Sequence, residues 1–479
     1  TGAPPSVHGI IENEWHDRKT NQRVYCCQPL RPYDLVPPLP PTAEKPSRGS
    51  LDGYSPERLL SPTVADALHD ATKGKGRAFA LSMKDRTAVL MGGQKPSGAY
   101  CFDTRDGRFH TGAFYGRDRE HPWVREFNES KLADTWFDTK WERLRAVADY
   151  DRFAGPDDGL GEADGFNGQG HTFPHSLKGK LSAPAKKYYD ALEGSPYGNE
   201  LLAALAKKAV TAEGLGKGEA PDLLCVSFSS NDLLGHRFGP DSHETMDVTL
   251  RSDKMVGEFL KFLDEAVGKG KYTVVITADH GVCPLPERKA YPSAERVMVA
   301  EVVTGLEQAL DAVYGVKGGW FEAFDGDVWP WLYLNRETIK GRNLDPDAVA
   351  GVAAQWLAGR GYIETAYTRK ELEDGQFPPD QPFKKMAALA YRADRCGDVI
   401  AIPKPGVQVT TYKGGTSHGS PQPYDRHIPF LALGAGVPAL GKRTDAVSSL
   451  AVAPTLAWAL GIPAPKDAAV LPPEALFKK

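Results

Sequence analysis

Two near-continuous apolar runs, Asp222–Ser229 (DLLCVSFS) and Tyr272–Asp279 (YTVVITAD), constrain this chain more than any other feature. A strand with one wet face alternates apolar and polar residues. An unbroken apolar run instead marks a strand covered on both faces, as in a parallel sheet flanked by helices. Between the two runs, Met246, Leu250, Val256, Leu260 and Leu263 keep helical spacing across His243–Val267, with Asp241 and Ser242 ahead of them as cap candidates. Strand, helix and strand make a βαβ unit. The expected fold class is therefore α/β, a doubly wound, mostly parallel sheet with helices on both faces. Further strands are expected at Arg77–Met83, at Arg86–Met91 and at Ile428–Leu433, the last followed by a helix over Ala446–Leu460.

Two stretches break this rhythm. Residues 103–199 are rich in Gly, Pro, Asp and aromatics and read as an irregular insertion. Residues 288–408 carry strand runs at Val328–Leu334 and Val399–Ile402 and a helix over Asp345–Gly359, and read as an inserted α+β cap domain. The core domain then comprises residues 1–287 and 409–479. A chain of 479 residues can bury such a core without disulfides. Its 58 basic and 62 acidic residues leave a net charge of −4, so there is no global basic field to attract a nucleic-acid polymer. No apolar run approaches the ~18 residues that would span a bilayer.

Three motifs fall at or near the ends of expected strands. Asn231-Asp232-Leu233-Leu234-Gly235-His236 follows the first apolar run, and Thr277-Ala278-Asp279-His280-Gly281 ends the second. Gly415-Thr416-Ser417-His418-Gly419 precedes the strand at Ile428. The carboxyl ends of strands are where open α/β sheets build their sites. Asp232 and His236, four apart, can converge on one ion if the segment is helical. Carboxylates with imidazoles form a borderline donor set that suits Zn²⁺ and tolerates Mn²⁺ or Mg²⁺. His171 and His175, in His171-Thr172-Phe173-Pro174-His175, lack this setting and are expected to be structural or exposed, with a small chance of forming a site.

With Phe238-Gly239-Pro240 and Tyr424-Asp425-Arg426-His427-Ile428-Pro429 beside them, these motifs resemble the metal signature of the alkaline phosphatase superfamily. More narrowly they resemble its type I phosphodiesterase/nucleotide pyrophosphatase-like branch. The resemblance runs from Thr1-Gly2-Ala3-Pro4-Pro5-Ser6-Val7-His8-Gly9 to Val452-Ala453-Pro454-Thr455-Leu456-Ala457. It implies two zinc ions beside a phosphate pocket, with Asp232, His236 and His418 holding one and Asp279 and His280 helping to hold the other. Asn13 matches a residue that donates to a phosphoryl oxygen. Ser82-Met83-Lys84-Asp85-Arg86, placed between two expected strands, resembles the Lys/Arg pair of one group of periplasmic alkaline phosphatases. A phosphate monoester carries one more charge than a diester, so two cations at Lys84 and Arg86 favour the monoester.

The resemblance also implies a Thr or Ser nucleophile shortly before the Thr1–Gly9 segment, and an earlier Asp for the second metal. Both are expected upstream of Thr1, which leaves that second zinc site incomplete within these residues. The expected activity is hydrolysis of small phosphate monoesters through a covalent phospho-Thr or phospho-Ser intermediate, in a periplasmic or secreted protein. As it stands, the polypeptide is expected to be nearly inactive. The alternatives are a phosphodiesterase or nucleotide pyrophosphatase with the same metals, and a non-catalytic pseudoenzyme.

Overall fold

The structure, a computed structural model, describes residues 1–44, 53–323 and 328–477. They fall into two compact units. Residues 1–3, 27–279 and 428–479 form the first, and residues 4–26 and 280–427 form the second. No helix among the described residues is long and apolar enough to cross a membrane.

The first unit is built on a mixed five-stranded sheet. Its strands are β1 (Leu35–Val36), β2 (Ala78–Ser82), β3 (Gly98–Asp103), β4 (Arg108–Gly112) and β5 (Leu223–Ser227), in the order β1-β4-β3-β2-β5. The central pairs β2–β3 and β2–β5 are parallel, and β3–β4 and β1–β4 are antiparallel. Every residue of β2 and β3 is buried, as unbroken apolar strands require. Helices α1 (Val64–Thr72), α2 (Asp85–Gly92), α3 (Pro196–Glu213), α4 (Ser230–Phe238), α5 (His243–Leu263) and α6 (Val452–Leu460) belong to this unit.

The run Arg86–Met91 is not a strand but the body of α2. Six mixed apolar residues cannot by themselves separate a short strand from a short helix. The burial of Ala88, Val89 and Gly92 on one side shows the helical period, and Ala88 N–H donates to the Lys84 carbonyl at 3.2 Å to close the first turn. Gly93 ends the helix at φ +73°, where a Cβ would meet an Asp66 carboxylate oxygen at 2.3 Å. Lys84 and Arg86 therefore stand at a strand-to-helix junction rather than between two strands. The expected helix over Ala446–Leu460 is shorter, a single 3₁₀ turn at Ser449–Ala451 leading into α6.

The two apolar runs that dominate the sequence become β5 and β6 (Thr273–Thr277), but they do not pair with each other. Among the described residues β5 pairs with β2, and β6 pairs antiparallel with β7 (Phe430–Gly434). Leu224 and Val226 of β5 and Val274 of β6 nevertheless pack into one cluster with α3 and α5. On the opposite face Leu223 and Cys225 pack with Ala453 and Ala457 of α6, which β6 also touches. Both strands thus pack against the same helices. Their apolar residues after Leu223 are only half-buried, unlike those of β2 and β3. Leu431 and Leu433 of β7 are exposed.

In the second unit, strands Phe321–Ala323, Trp331–Leu334, Val399–Pro403 and Ile363–Thr368 form an antiparallel sheet in that spatial order. Helices Val299–Tyr314 and Pro346–Ala358 bring Leu306, Leu310, Val349 and Leu357 into one core with Leu332 and Val399 of the sheet. A parallel pair, Glu295–Met298 with Val407–Thr410, and a hairpin, Glu14–Asp17 with Gln22–Tyr25, complete it. The strands and helix expected within 288–408 are present, with the first strand shortened to Trp331–Leu334.

Candidate functional site

In the first unit the candidate residues meet because β2 and β5 are parallel and end level, Ser82 opposite Ser227. Ser82 Oγ donates to the Ser227 carbonyl at 3.3 Å and accepts from Lys84 N–H at 3.1 Å. The segments leaving the two strands therefore run side by side. Lys84 leads into α2, and Ser229 leads into α4, with Asp232 in its first turn and His236 in its last. The first turn of a helix favours a carboxylate and the last favours an imidazolium. Lys84 Nζ donates to Asp232 Oδ2, and Asp232 Oδ1 lies 3.4 Å from His236 Nε2. The helical turn anticipated between Asp232 and His236 is present.

The irregular 103–199 stretch holds α4 in place. Ser230 N–H donates to Asn199 Oδ1 at 3.3 Å, and Ser230 Oγ to the Glu193 carbonyl at 2.8 Å. Beside this junction Lys84, Arg86, Arg105, Lys186, Asp103 and Glu193 line a cleft of about 380 Å³. Arg105 is forked onto Asp103, through Nε at 2.9 Å and Nη2 at 2.6 Å, and Lys186 is paired with Asp190 at 2.8 Å. Burial pushes the Glu193 carboxyl up to about 8, with Lys84 and Arg86 pulling it back. Glu193 was invisible to sequence reasoning, because nothing in its local pattern separates it from a surface glutamate. Asp279 stands exposed just beyond β6.

The second unit carries His280, His418 and Asn13. The imidazoles of His280 and His418 are stacked, with centroids 3.3 Å apart and planes 12° from parallel. Backbone contacts between the flanking segments hold them there. Gly281 N–H donates to the Asp425 carbonyl at 2.7 Å, Cys283 N–H to the Ser417 carbonyl at 3.1 Å, and Thr416 Oγ1 to the Cys283 carbonyl at 2.9 Å. The Gly281 carbonyl lies 2.8 Å from His280 Nδ1, which places the ring proton on Nδ1 and leaves Nε2 as the basic nitrogen. Asp425, inside a quoted motif but given no role there, is buried. Burial raises its carboxyl pKa against the pull of Ser420, whose N–H and O–H donate to it at 2.8 and 2.6 Å, and of His280. Asn13 is exposed one residue before the hairpin strand Glu14–Asp17, its carbonyl accepting from Cys26 N–H at 2.8 Å.

Asp232 with His236, and His280 with His418, are candidate metal-binding groups. They offer carboxylate oxygen and imidazole nitrogen, a donor set that fits zinc. The six cysteines are all free thiols and take part in none of these groups.

Comparison with known proteins finds relatives along nearly the whole chain. The chain is 29% identical over 474 residues to alkaline phosphatase PafA of Elizabethkingia meningoseptica, covering 98% of this chain and 82% of PafA. It is 31% identical over 469 residues to alkaline phosphatase PhoV of Synechococcus elongatus, covering 97% of this chain and 80% of PhoV. The crystal structure of wild-type PafA superposes with a TM-score of 0.86 at 27% identity, covering 100% of this chain and 88% of that one. Residues 1–427 match the type I phosphodiesterase / nucleotide pyrophosphatase family, and the chain belongs to that family.

Proposed function

We propose that this chain is a metal-dependent phosphohydrolase acting on small phosphate monoesters. The observation that carries the reading is the placement of Lys84 and Arg86 at the start of α2, with Lys84 paired to Asp232 at the level ends of β2 and β5. Two cations at a helix N-terminus, beside a candidate metal ligand, form a binding surface for a dianion. The similarity to PafA and PhoV, both named as alkaline phosphatases, supports the same reading.

Asp232, His236 and His418 are assigned to one zinc ion, and Asp279 and His280 to a second whose ligand set is incomplete within these residues. When bound, such a pair supplies charge stabilisation to an in-line displacement at phosphorus. Lys84, Arg86 and Asn13 bind and orient the transferred phosphoryl group, spreading donors over the oxygens where charge builds up. The attacking hydroxyl is assigned to a Thr or Ser upstream of Thr1. A periplasmic or secreted location follows from the resemblance.

The test compares p-nitrophenyl phosphate with bis-p-nitrophenyl phosphate in a chain extended upstream of Thr1. Lys84→Ala and Arg86→Ala should each cost the monoester at least tenfold more in kcat/KM than the diester. Equal losses on both substrates would overturn the monoester assignment. Enzyme-like hydrolysis by residues 1–479 alone would overturn the placement of the nucleophile and leave the substrate reading standing.

A further inference from the structure

Helix Lys186–Glu193 ends at the cleft that Lys84 and Arg86 line, and it leaves a carboxyl there without a partner. Around it Lys84 is held by Asp232, Arg105 by Asp103 and Lys186 by Asp190. Among the described residues, none hydrogen-bonds or ion-pairs with the Glu193 carboxyl. We propose, on the basis of the monoester reading above, that Glu193 is a specificity-determining residue whose carboxyl hydrogen-bonds a hydroxyl of the leaving group, and that the substrates are monophosphates of small polyols.

The backbone of Glu193 is fixed on both sides. Its carbonyl accepts from Ser230 Oγ at 2.8 Å, which ties it to the first residue of α4. Gly194, next in the chain, lies so close to Phe166 that a Cβ there would stand 2.1 Å from a ring carbon. Seven residues apart on one helix, Lys186 and Glu193 share a face, and both line the cleft. Lys84 and Arg86 stand near enough to pull on the Glu193 carboxyl. The cations that hold a phosphoryl oxygen and a carboxyl open to the leaving group therefore share one cleft.

The chemistry of the cleft selects what meets that carboxyl. Burial pushes it up to about 8, so at neutral pH it carries its proton. A neutral carboxyl adds no charge to repel the dianion that Lys84 and Arg86 bind. It offers one O–H donor and acceptor oxygens, and a hydroxyl can answer both. An ammonium can only donate, and it would face the positive charge of Lys84 and Arg86. Met83 and Phe102, apolar residues of the lining, are 2% and 5% exposed and offer little surface to an aryl or alkyl group. A leaving group without hydroxyls would cover the Glu193 carboxyl and leave it unsatisfied, which is costly. Sites built to hydrogen-bond a substrate hydroxyl reject the analogue lacking it for this reason.

The experiment compares glycerol 2-phosphate with isopropyl phosphate, which has the same carbon skeleton without the hydroxyls, in the extended chain used for the ester comparison above. Wild type should favour glycerol 2-phosphate at least tenfold in kcat/KM. Glu193→Leu should bring the two substrates within about twofold of each other, and Glu193→Gln, which keeps a donor and an acceptor, should retain most of the preference. Glu193→Leu should cost 2-aminoethyl phosphate no more than it costs isopropyl phosphate. Equal wild-type kcat/KM for glycerol 2-phosphate and isopropyl phosphate, or a preference that survives Glu193→Leu, would overturn the specificity role and leave the monoester reading standing. A loss on 2-aminoethyl phosphate as large as that on glycerol 2-phosphate would overturn the hydroxyl assignment. Turnover of bis-p-nitrophenyl phosphate with no monoester hydrolysed would overturn the monoester reading, and this inference with it.

Discussion

Lys84 Nζ and Asp232 Oδ2 form an ion pair that joins the start of α2 to the first turn of α4, although the residues are 148 positions apart. The pair exists because β2 and β5 lie parallel and end at the same level. It satisfies Asp232 with a cation, and any metal ion must compete with that cation for the carboxylate.

Replacing the lysine should therefore release Asp232 for metal. Lys84→Met is expected to tighten zinc binding about fivefold, since a partly exposed pair is worth up to ~1 kcal/mol. Chelator competition measures this directly. Weaker zinc binding in Lys84→Met would show that the lysine supports the metal site rather than competing with it.

The Glu193 carboxyl gives a stability signature with a definite sign. Its folded pKa is raised from 4.5 to about 8 by burial, so the folded state holds a proton that the unfolded state has already lost. Folding stability from this group falls as pH rises from about 4.5 to about 8. Glu193→Gln removes that penalty and should raise Tm relative to wild type at pH 8.5 but hardly at pH 4. A constant Tm difference across that range would mean that Glu193 does not titrate late.

His175 forms a buried pair that tests the packing of the irregular stretch. It is fully buried, its Nε2 2.8 Å from Glu244 Oε1, itself fully buried. His175→Ala strands that carboxylate and should cost ~3–5 kcal/mol in urea unfolding. The zinc equivalents bound by the folded fraction should match wild type. A loss below ~1 kcal/mol would show that Glu244 is satisfied without His175.

Gly281 separates His280 from the segment that positions it. A Cβ at Gly281 would stand 2.0 Å from the Tyr424 carbonyl oxygen, and backbone cannot yield as a side chain tip can. Gly281→Ala should therefore weaken zinc binding about tenfold or more without removing any ligand, as changes behind a metal ligand do. Unchanged affinity would exclude His280 as a ligand whose position depends on this contact.

The parts legible in the sequence are those set by neighbours along the chain. Asp232 and His236 are one helical turn apart, so their approach needs only α4, and the long spacing of α5 announced itself in the same way. The apolar runs identified β5 and β6 as strands, because burial on two faces demands such composition. Which edges they would pair could not be read from composition, since the run looks the same at the centre of a sheet and beside an open edge. The helix α2 was misread because a short mixed segment has no period to measure. Tertiary structure alone decided the Lys84–Asp232 pair, the stacking of His280 on His418, and the gathering of Lys84, Arg86 and Glu193 around one cleft. Local spacing fixes which side chains share a turn. Contacts between distant segments depend on strand register and loop closure, which the packing of the whole chain decides.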